Sequence, residues 1–297
     1  MDYKTEKKDI YQTVTDLVLD GLNKGIIPWL RPWTDATTPY NGATGREYQG
    51  INIMILGLIQ EMKKYPENAW LTFKQAKDLQ GSVKKGEKST LIVYWSMVKT
   101  KDKETKEEKT VPILKYFNVF NISQCENLQG LKTKETKEIK ESFENLACEY
   151  ILSNMPNRPT VNIINSNRAF YQPSIDSITL PLKAQFTTEN DFYSTMFHEL
   201  VHSTGHKSRL ARKGVTESVN FGSETYSKEE LIAEIGSAML NCKCNILNDN
   251  LLNNSVAYIQ NWKRALMDDK KLIVHASGNA TKAVKYILNE KEKEEVI

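Results

Sequence analysis

Three of the four histidines in this 297-residue chain fall within ten residues, FHELVHSTGH, from Phe197 to His206. His198, Glu199 and His202 read H-E-x-x-H, inside a segment, DFYSTMFHELVHSTG, that has the pattern of a helix closed by Gly205. Four residues make just over one helical turn, so both imidazoles project from one face and can grip a single cation at about 2.0–2.1 Å. Glu199, one position on, then stands beside the cation rather than on it, where a base can take a proton from water. The pattern works only on a helix, which fixes the local fold of this stretch.

A catalytic site on such a pair needs a third protein ligand and an open fourth position. The metzincin scheme continues H-x-x-G-x-x-H; Gly205 fits, but the required position is Ser208, and the scheme fails. His206 lies just past the helix-breaking Gly205 and is read as a third-ligand candidate or, otherwise, as a helix cap or a support behind the ligands. Downstream, SKEELIAEIGSAML spaces Glu230 and Glu234 one turn apart on a second helix. This E-x-x-A-E resembles the E-x-x-A-D signature of gluzincin metallopeptidases. The resemblance implies that Glu230 is the third ligand and that Glu234 orients an imidazole from behind it. Glu229 is expected to point elsewhere, as a solvated or first-turn charge.

Zn2+ is the expected cofactor, although histidine and carboxylate ligands also accept another divalent ion such as Mn2+. The implied chemistry is metal-assisted hydrolysis with Glu199 as base. Tyr226, the nearest aromatic hydroxyl before the second helix, is the candidate oxyanion donor, with a merely packed ring as the competing reading.

The rest of the chain sets bounds. Its length predicts two domains. A net charge of +3 does not by itself announce nucleic-acid binding. Met1 to Asp9 is densely charged and no apolar run of secretory or membrane-spanning length follows, which predicts a cytoplasmic protein without membrane partners. The four cysteines, at 125, 148, 242 and 244, form no CxxC pair and read as reduced, buried thiols.

Helices are predicted over 10–24 and 51–64, then a short strand or turn from Trp70 leading into a brief helix stopped by Gly81. STLIVYWSMVKT and TVPILKYFNVFN alternate and read as two antiparallel strands around a charged loop. Apolar content collapses in NLQGLKTKETKEIK, so a linker is placed at 131–140, between domains at 1–130 and 141–297. The second domain is expected to hold a helix at 139–154 and two short strands, TVNIIN and DSITLPL, around an aromatic turn. The motif helix (190–205) and helices at 228–240, 251–267 and 281–289 follow.

Trp29, Trp33, Trp70 and Trp95, four of the five tryptophans, precede that linker, with Tyr40, Tyr48 and Phe73 among them and Arg31, Arg46, Lys84, Lys85 and Lys88 interleaved. Flat rings offer stacking for unpaired bases and nearby cations track phosphates, so the mixture suits single-stranded nucleic acid; a packed core and solvated lysines are the plainer alternative. In NGATGREYQGIN the glycines allow close backbone approach, Arg46 offers a planar fork and Tyr48 a ring face.

IPWLRPW, PYNGATGREYQGIN, WLTFKQAKDLQGSVKKGEKSTLIVYW and FNVFNISQCENL resemble the N-terminal domain of ArdC-type antirestriction proteins, which also occurs in TraC-type plasmid primases. FYQPSIDSITLP, FHELVHSTGHKSRL and FGSETYSKEELIAEIGSAML resemble the zincin-like domain that follows it. The resemblance covers about residues 8 to 270.

It implies an α+β chain: an N-terminal α+β single-stranded DNA-binding domain, then a mostly helical zincin-like metallopeptidase domain with a small sheet. The implied role is protection of incoming mobile-element DNA from host restriction. Single-stranded DNA is the expected partner, with Arg31, Trp33, Tyr40, Asn41, Arg46, Tyr48, Asn52, Lys84, Lys85 and Lys88 as candidate contacts. A protein substrate or the restriction machinery is the other partner class. The alternative reading is a zinc metallopeptidase that cleaves a host or phage protein and uses the N-terminal domain for targeting.

Overall fold

A computed structural model describes residues 9–29, 38–101, 108–132, 145–217, 224–246 and 256–290. Helix α1 (Ile10–Asn23) opens on Asp9, whose carboxylate accepts from the Gln12 backbone N–H, and buries Val14, Val18 and Leu22 along one stripe. After β1 (Tyr40–Asn41), helix α2 (Ile51–Lys63) is apolar nearly all round because it is covered on both sides. Strand β2 (Ala69–Thr72) leads into the short α3 (Phe73–Asp78), started by a Thr72–Gln75 capping box.

The predicted pair of long strands forms as β4 (Thr90–Lys101) and β5 (Glu108–Asn121), in unbroken antiparallel register from Thr90↔Val119 to Lys101↔Glu108. The main sheet has the order β1-β2-β5-β4, with β1 parallel to β2; β3 (Ser82–Val83) and β6 (Cys125–Glu126) make a separate ribbon. One face of β4–β5 gives Ile92 and Val119 to a cluster with Leu56 and Trp70, and the other gives Val93 and Leu114 to the main core.

The second half begins with α4 (Leu146–Asn154) and a sheet of order β7-β9-β8, made of β7 (Thr160–Ile164), β8 (Phe170–Gln172) and β9 (Ser177–Pro181). The aromatic turn expected between two strands is itself a strand: Phe170 to Gln172 pair antiparallel with Ser177 to Thr179. Helices α5 (Glu189–Ser203), α6 (Lys213–Thr216), α7 (Glu224–Lys243), α8 (Val256–Asp268) and α9 (Leu272–Ile287) follow. The last begins well before the predicted 281, because Ile273, Val274 and Ala276 carry its apolar stripe back through a stretch that looks loop-like beside HASGN.

The fold is α+β, with the sheet early and helices dominating later. The main core unites the two parts: Val14, Val18 and Ile53 from the first pack in one cluster with Phe192, Phe197, Leu231 and Ile273 from the second. Trp29 meets Trp262 edge to face at 5.8 Å. The stretch read as a linker lies, from residue 133, outside the described residues. No helix among the described residues is long and apolar enough to cross a membrane. Cys125, Cys148 and Cys244 are free and buried, and Cys242 is partly buried.

Candidate functional site

Helix α5 is fixed at both ends. Thr188 and Asp191 form a capping box at its start, with Glu189 and Asp191 placing acid at the positive end of the dipole. At its end Arg209 Nε donates to the Ser203 carbonyl at 2.7 Å and Arg212 Nη2 to the Val201 carbonyl at 2.9 Å, reinforcing the turn hydrogen bonds that these carbonyls already accept from His206 and Thr204. Phe192, Phe197, Leu200 and Val201 are buried against α7 and α9, which leaves His198 and His202 along the helix edge facing the start of α7.

Three donors converge there. His198 Nε2 and His202 Nε2 are 3.1 Å apart, and the two Glu230 oxygens lie 3.6 Å from the first and 3.5 Å from the second. Ligand atoms around a tetrahedral ion with bonds of 2.0–2.2 Å stand roughly 3.3 Å from one another, so this trio has the spacing of a single divalent-ion cage. Glu199 is 8% exposed and adjoins the trio. Burial disfavours a charged His198, but the carboxylates of Glu230, Glu234 and Glu199 outweigh it and raise the ring pKa to about 9. Glu234 thus acts on His198 through its charge, one turn along α7 from Glu230.

Glu229 overturns the expectation of a solvated charge. It is 5% exposed and faces His202 Nδ1 at 3.5 Å. Arg212 grips it with two bonds, Nε to Oε2 at 3.0 Å and Nη2 to Oε1 at 2.5 Å. Burial pushes its carboxyl pKa up, and the His202 and Arg212 donors pull it below the ordinary carboxylate value. Neighbouring helix positions are about 100° apart, so Glu229 and Glu230 can address different sides of the same ring. Sequence reasoning missed it because the partner, Arg212, sits in an irregular segment between helices; the run HSTGHKSRLARKG was the available signal.

His206 lies outside the donor trio, where its Nδ1 is within 2.8 Å of Ser208 Oγ. Tyr226 lies in the first turn of α7, and its side chain falls outside the described residues. Arg209, its side chain buried, ties the end of α5 to the small sheet through Asp176, the Tyr171 hydroxyl and the Asn157 carbonyl.

The DNA-contact candidates divide. Arg31 and Trp33 lie outside the described residues. Tyr40 is buried, and so are Trp29 and Trp70. Asn41 Oδ1 accepts from the Ala43 and Thr44 backbone N–H groups at 3.1 Å, folding the glycine loop on itself. Asn52 donates to the Val93 carbonyl at 2.7 Å and accepts from its N–H at 2.8 Å, which blunts the exposed edge of β4. Tyr48 is partly buried beside that core, and Arg46 is exposed.

Lys84, Lys85 and Lys88 are exposed around Gly86, which turns at φ 89°, and Lys84 Nζ donates to the Ser123 carbonyl. Other rings stand in solvent: Tyr94 and Phe117 stack at 4.7 Å and 9° across β4 and β5, with Phe73 and Trp95 also exposed.

Comparison with known proteins agrees with this architecture. Residues 8–120 match the N-terminal domain of anti-restriction factor ArdC, and residues 154–279 match a zincin-like metallopeptidase. The metal-free crystal structure of the antirestriction ArdC protein from the R388 plasmid aligns with a TM-score of 0.75 at 36% identity, over 94% of this chain and 97% of that one. The Mn(II)-bound structure of the R388 protein aligns with a TM-score of 0.75 at 34% identity, over 95% and 98%.

DNA primase TraC of Escherichia coli is 34% identical over 97% of this chain, which spans only 20% of one such primase and 28% of another. The uncharacterized protein y4eC of Sinorhizobium fredii (strain NBRC 101917 / NGR234) is 28% identical over 92% of this chain and 89% of its own. Alike over nearly its whole length in both sequence and fold, the chain belongs to the ArdC antirestriction family.

Proposed function

We propose that this chain protects incoming mobile-element DNA from restriction by binding it single-stranded through residues 1–130. In this reading residues 141–297 hold one divalent ion at a peptidase-like site. The observation that carries the second half is the convergence of His198 Nε2, His202 Nε2 and Glu230 to within 3.1–3.6 Å beside the buried Glu199. Those three residues are the ligands, for Zn2+ or for Mn2+ as in the R388 structure. When bound, such an ion polarises a carbonyl and makes water acidic near neutral pH.

The chain supplies the rest. The Glu199 carboxylate accepts a proton from the attacking water and returns it to the leaving amine. Glu234 steadies the charge on the His198 side. Burial of Phe197, Leu200 and Val201 behind the rings keeps bulk water from that face. Glu199→Gln abolishes peptide hydrolysis in this reading and leaves DNA affinity unchanged.

For DNA, the support is the ArdC N-terminal match together with the rings left in solvent. Tyr94 and Phe117 form a stacked pair, Lys115 lies directly across from Tyr94, and Lys84, Lys85 and Lys88 precede the same strand. Arg46 extends the cationic surface. Titration of labelled single-stranded and duplex oligonucleotides at several salt concentrations tests this. The reading expects tighter binding to the single strand and affinity that falls with salt; a flat salt response, or preference for duplex, rejects it.

A further inference from the structure

We infer that Glu229 and Arg212 form the brace that orients His202, and that this brace sets how tightly the cluster takes its ion. The inference rests on the reading of His198, His202 and Glu230 as a metal site. An imidazole that coordinates through Nε2 must have its Nδ1–H held, or the ring turns and its tautomers mix. The group facing His202 Nδ1 is Glu229 Oε1 at 3.5 Å. Glu234 is the carboxylate that the gluzincin resemblance nominates for this task, one turn further along α7.

Three features make Glu229 a rigid support. Its carboxylate is doubly gripped by Arg212, at 3.0 and 2.5 Å. Arg212 is in turn anchored to the last turn of α5, the helix that carries His202: Nη1 donates to Thr204 Oγ1 at 2.6 Å and Nη2 to the Val201 carbonyl at 2.9 Å. The ring and its support therefore share one frame.

Room for the pair is also built in. A Cβ on Gly214 would stand 3.0 Å from the Glu229 Cβ and 3.3 Å from Oε2, and one on Gly205 would stand 3.1 Å from Arg212 Nη2. A buried ion pair is a poor stabilising device compared with apolar packing, because both charges lose their water. What it delivers here is a fixed negative charge at Nδ1, which favours the Nδ1–H tautomer and leaves the Nε2 lone pair free for the ion.

The test measures Zn2+ and Mn2+ affinity of the full chain by chelator competition, for wild type, Glu229→Gln, Arg212→Lys and Glu234→Gln. Thermal melts of each metal-free protein accompany it. Glu229→Gln is expected to weaken binding about 10- to 100-fold, with Arg212→Lys between it and wild type. In the zinc-loaded protein, NMR of the imidazoles should show a His202 Nδ1 proton that exchanges slowly with solvent in wild type and markedly faster in Glu229→Gln.

Because a lone buried Arg212 can unfold the variant, the double change Glu229→Met with Arg212→Met removes both charges at once; folded, it should still bind weakly. Wild-type affinity in the folded double variant overturns the inference. So does a Glu229→Gln affinity within twofold of wild type, or a larger loss in Glu234→Gln. A wild-type chain that takes up neither ion overturns the metal-site reading itself, and the two failures are told apart by that first measurement.

Discussion

Gly236→Ala should weaken metal binding although residue 236 touches none of the ligands. Helices α5 and α7 pack tightly where Gly236 meets Val201: a Cβ there would lie 2.9 Å from both Val201 methyl carbons. Relaxed carbon contacts sit at about 3.5–4.0 Å, so the helices must part by roughly 0.6–1 Å. Val201 is fully buried and β-branched, with one strongly preferred rotamer in a helix, so neither methyl can swing aside.

Overpacking of this kind costs about 1–3 kcal/mol, and the better helix propensity of alanine offsets about 0.5–1 kcal/mol of it. A net loss of at most about 2.5 kcal/mol follows. The effect on the site is larger in proportion. Glu230 rides on α7 and both imidazoles on α5, and a binding site tolerates only about 0.5 Å of drift in its donors. Ion affinity should fall at least about tenfold, read by chelator competition beside thermal melts with and without metal. A Gly236→Ala protein that melts lower yet binds its ion as tightly as wild type would refute the reasoning that the α5–α7 distance sets the cage.

Other consequences are open to measurement. Because His198 in the metal-free protein holds its proton up to about pH 9, uptake of an ion near neutrality must expel that proton. Apparent affinity should climb with pH, by up to about tenfold per unit, and level off near 9; a flat profile across that range speaks against the ring as a ligand.

Arg209→Met removes the guanidinium that ties α5 to Asp176 and should cost about 3 kcal/mol in a denaturant titration, the low end for breaking a buried pair because Asp176 stays partly in solvent. Arg209 and Tyr171 hold the Asp176 carboxyl below its ordinary value despite burial, so its contribution is present above about pH 4 and fades as pH falls through the folded-state value. The Arg209→Met protein should show a smaller acid-side decline, the remainder coming from the Tyr171 hydroxyl on Asp176, and an undiminished decline would refute the role given to Arg209. Phe117→Ala should lower single-strand affinity by about 1–3 kcal/mol and leave metal content untouched; equal affinity would place the stacking surface elsewhere.

Periodicity and spacing made much of the site legible. H-E-x-x-H marked the motif helix to within two residues of α5, the one-turn spacing of Glu230 and Glu234 marked α7, and the gluzincin resemblance singled out Glu230, which meets both rings. Glu229 was misread because a helix N-terminus offers a ready explanation for any acid, and only the path of the chain through Arg212 shows where that acid points.

The N-terminal aromatics posed a different problem. Trp70 and Trp95 look alike in sequence, yet the first fills a core beneath α2 and the strands while the second stays exposed. Which face of a strand is covered depends on the helix laid over it, and that is a tertiary fact. Asn52 is the sharpest case: beside a glycine loop it resembles a ligand contact, and its amide instead closes the open edge of β4.

Elemental analysis of the purified chain after dialysis against trace Zn2+ or Mn2+ bears most directly on the claim that two helices build one ion cage. One ion per wild-type chain is expected, with none held by His198→Ala or by Glu230→Gln when both remain folded. A folded Glu230→Gln protein that keeps its full complement of metal would contradict it.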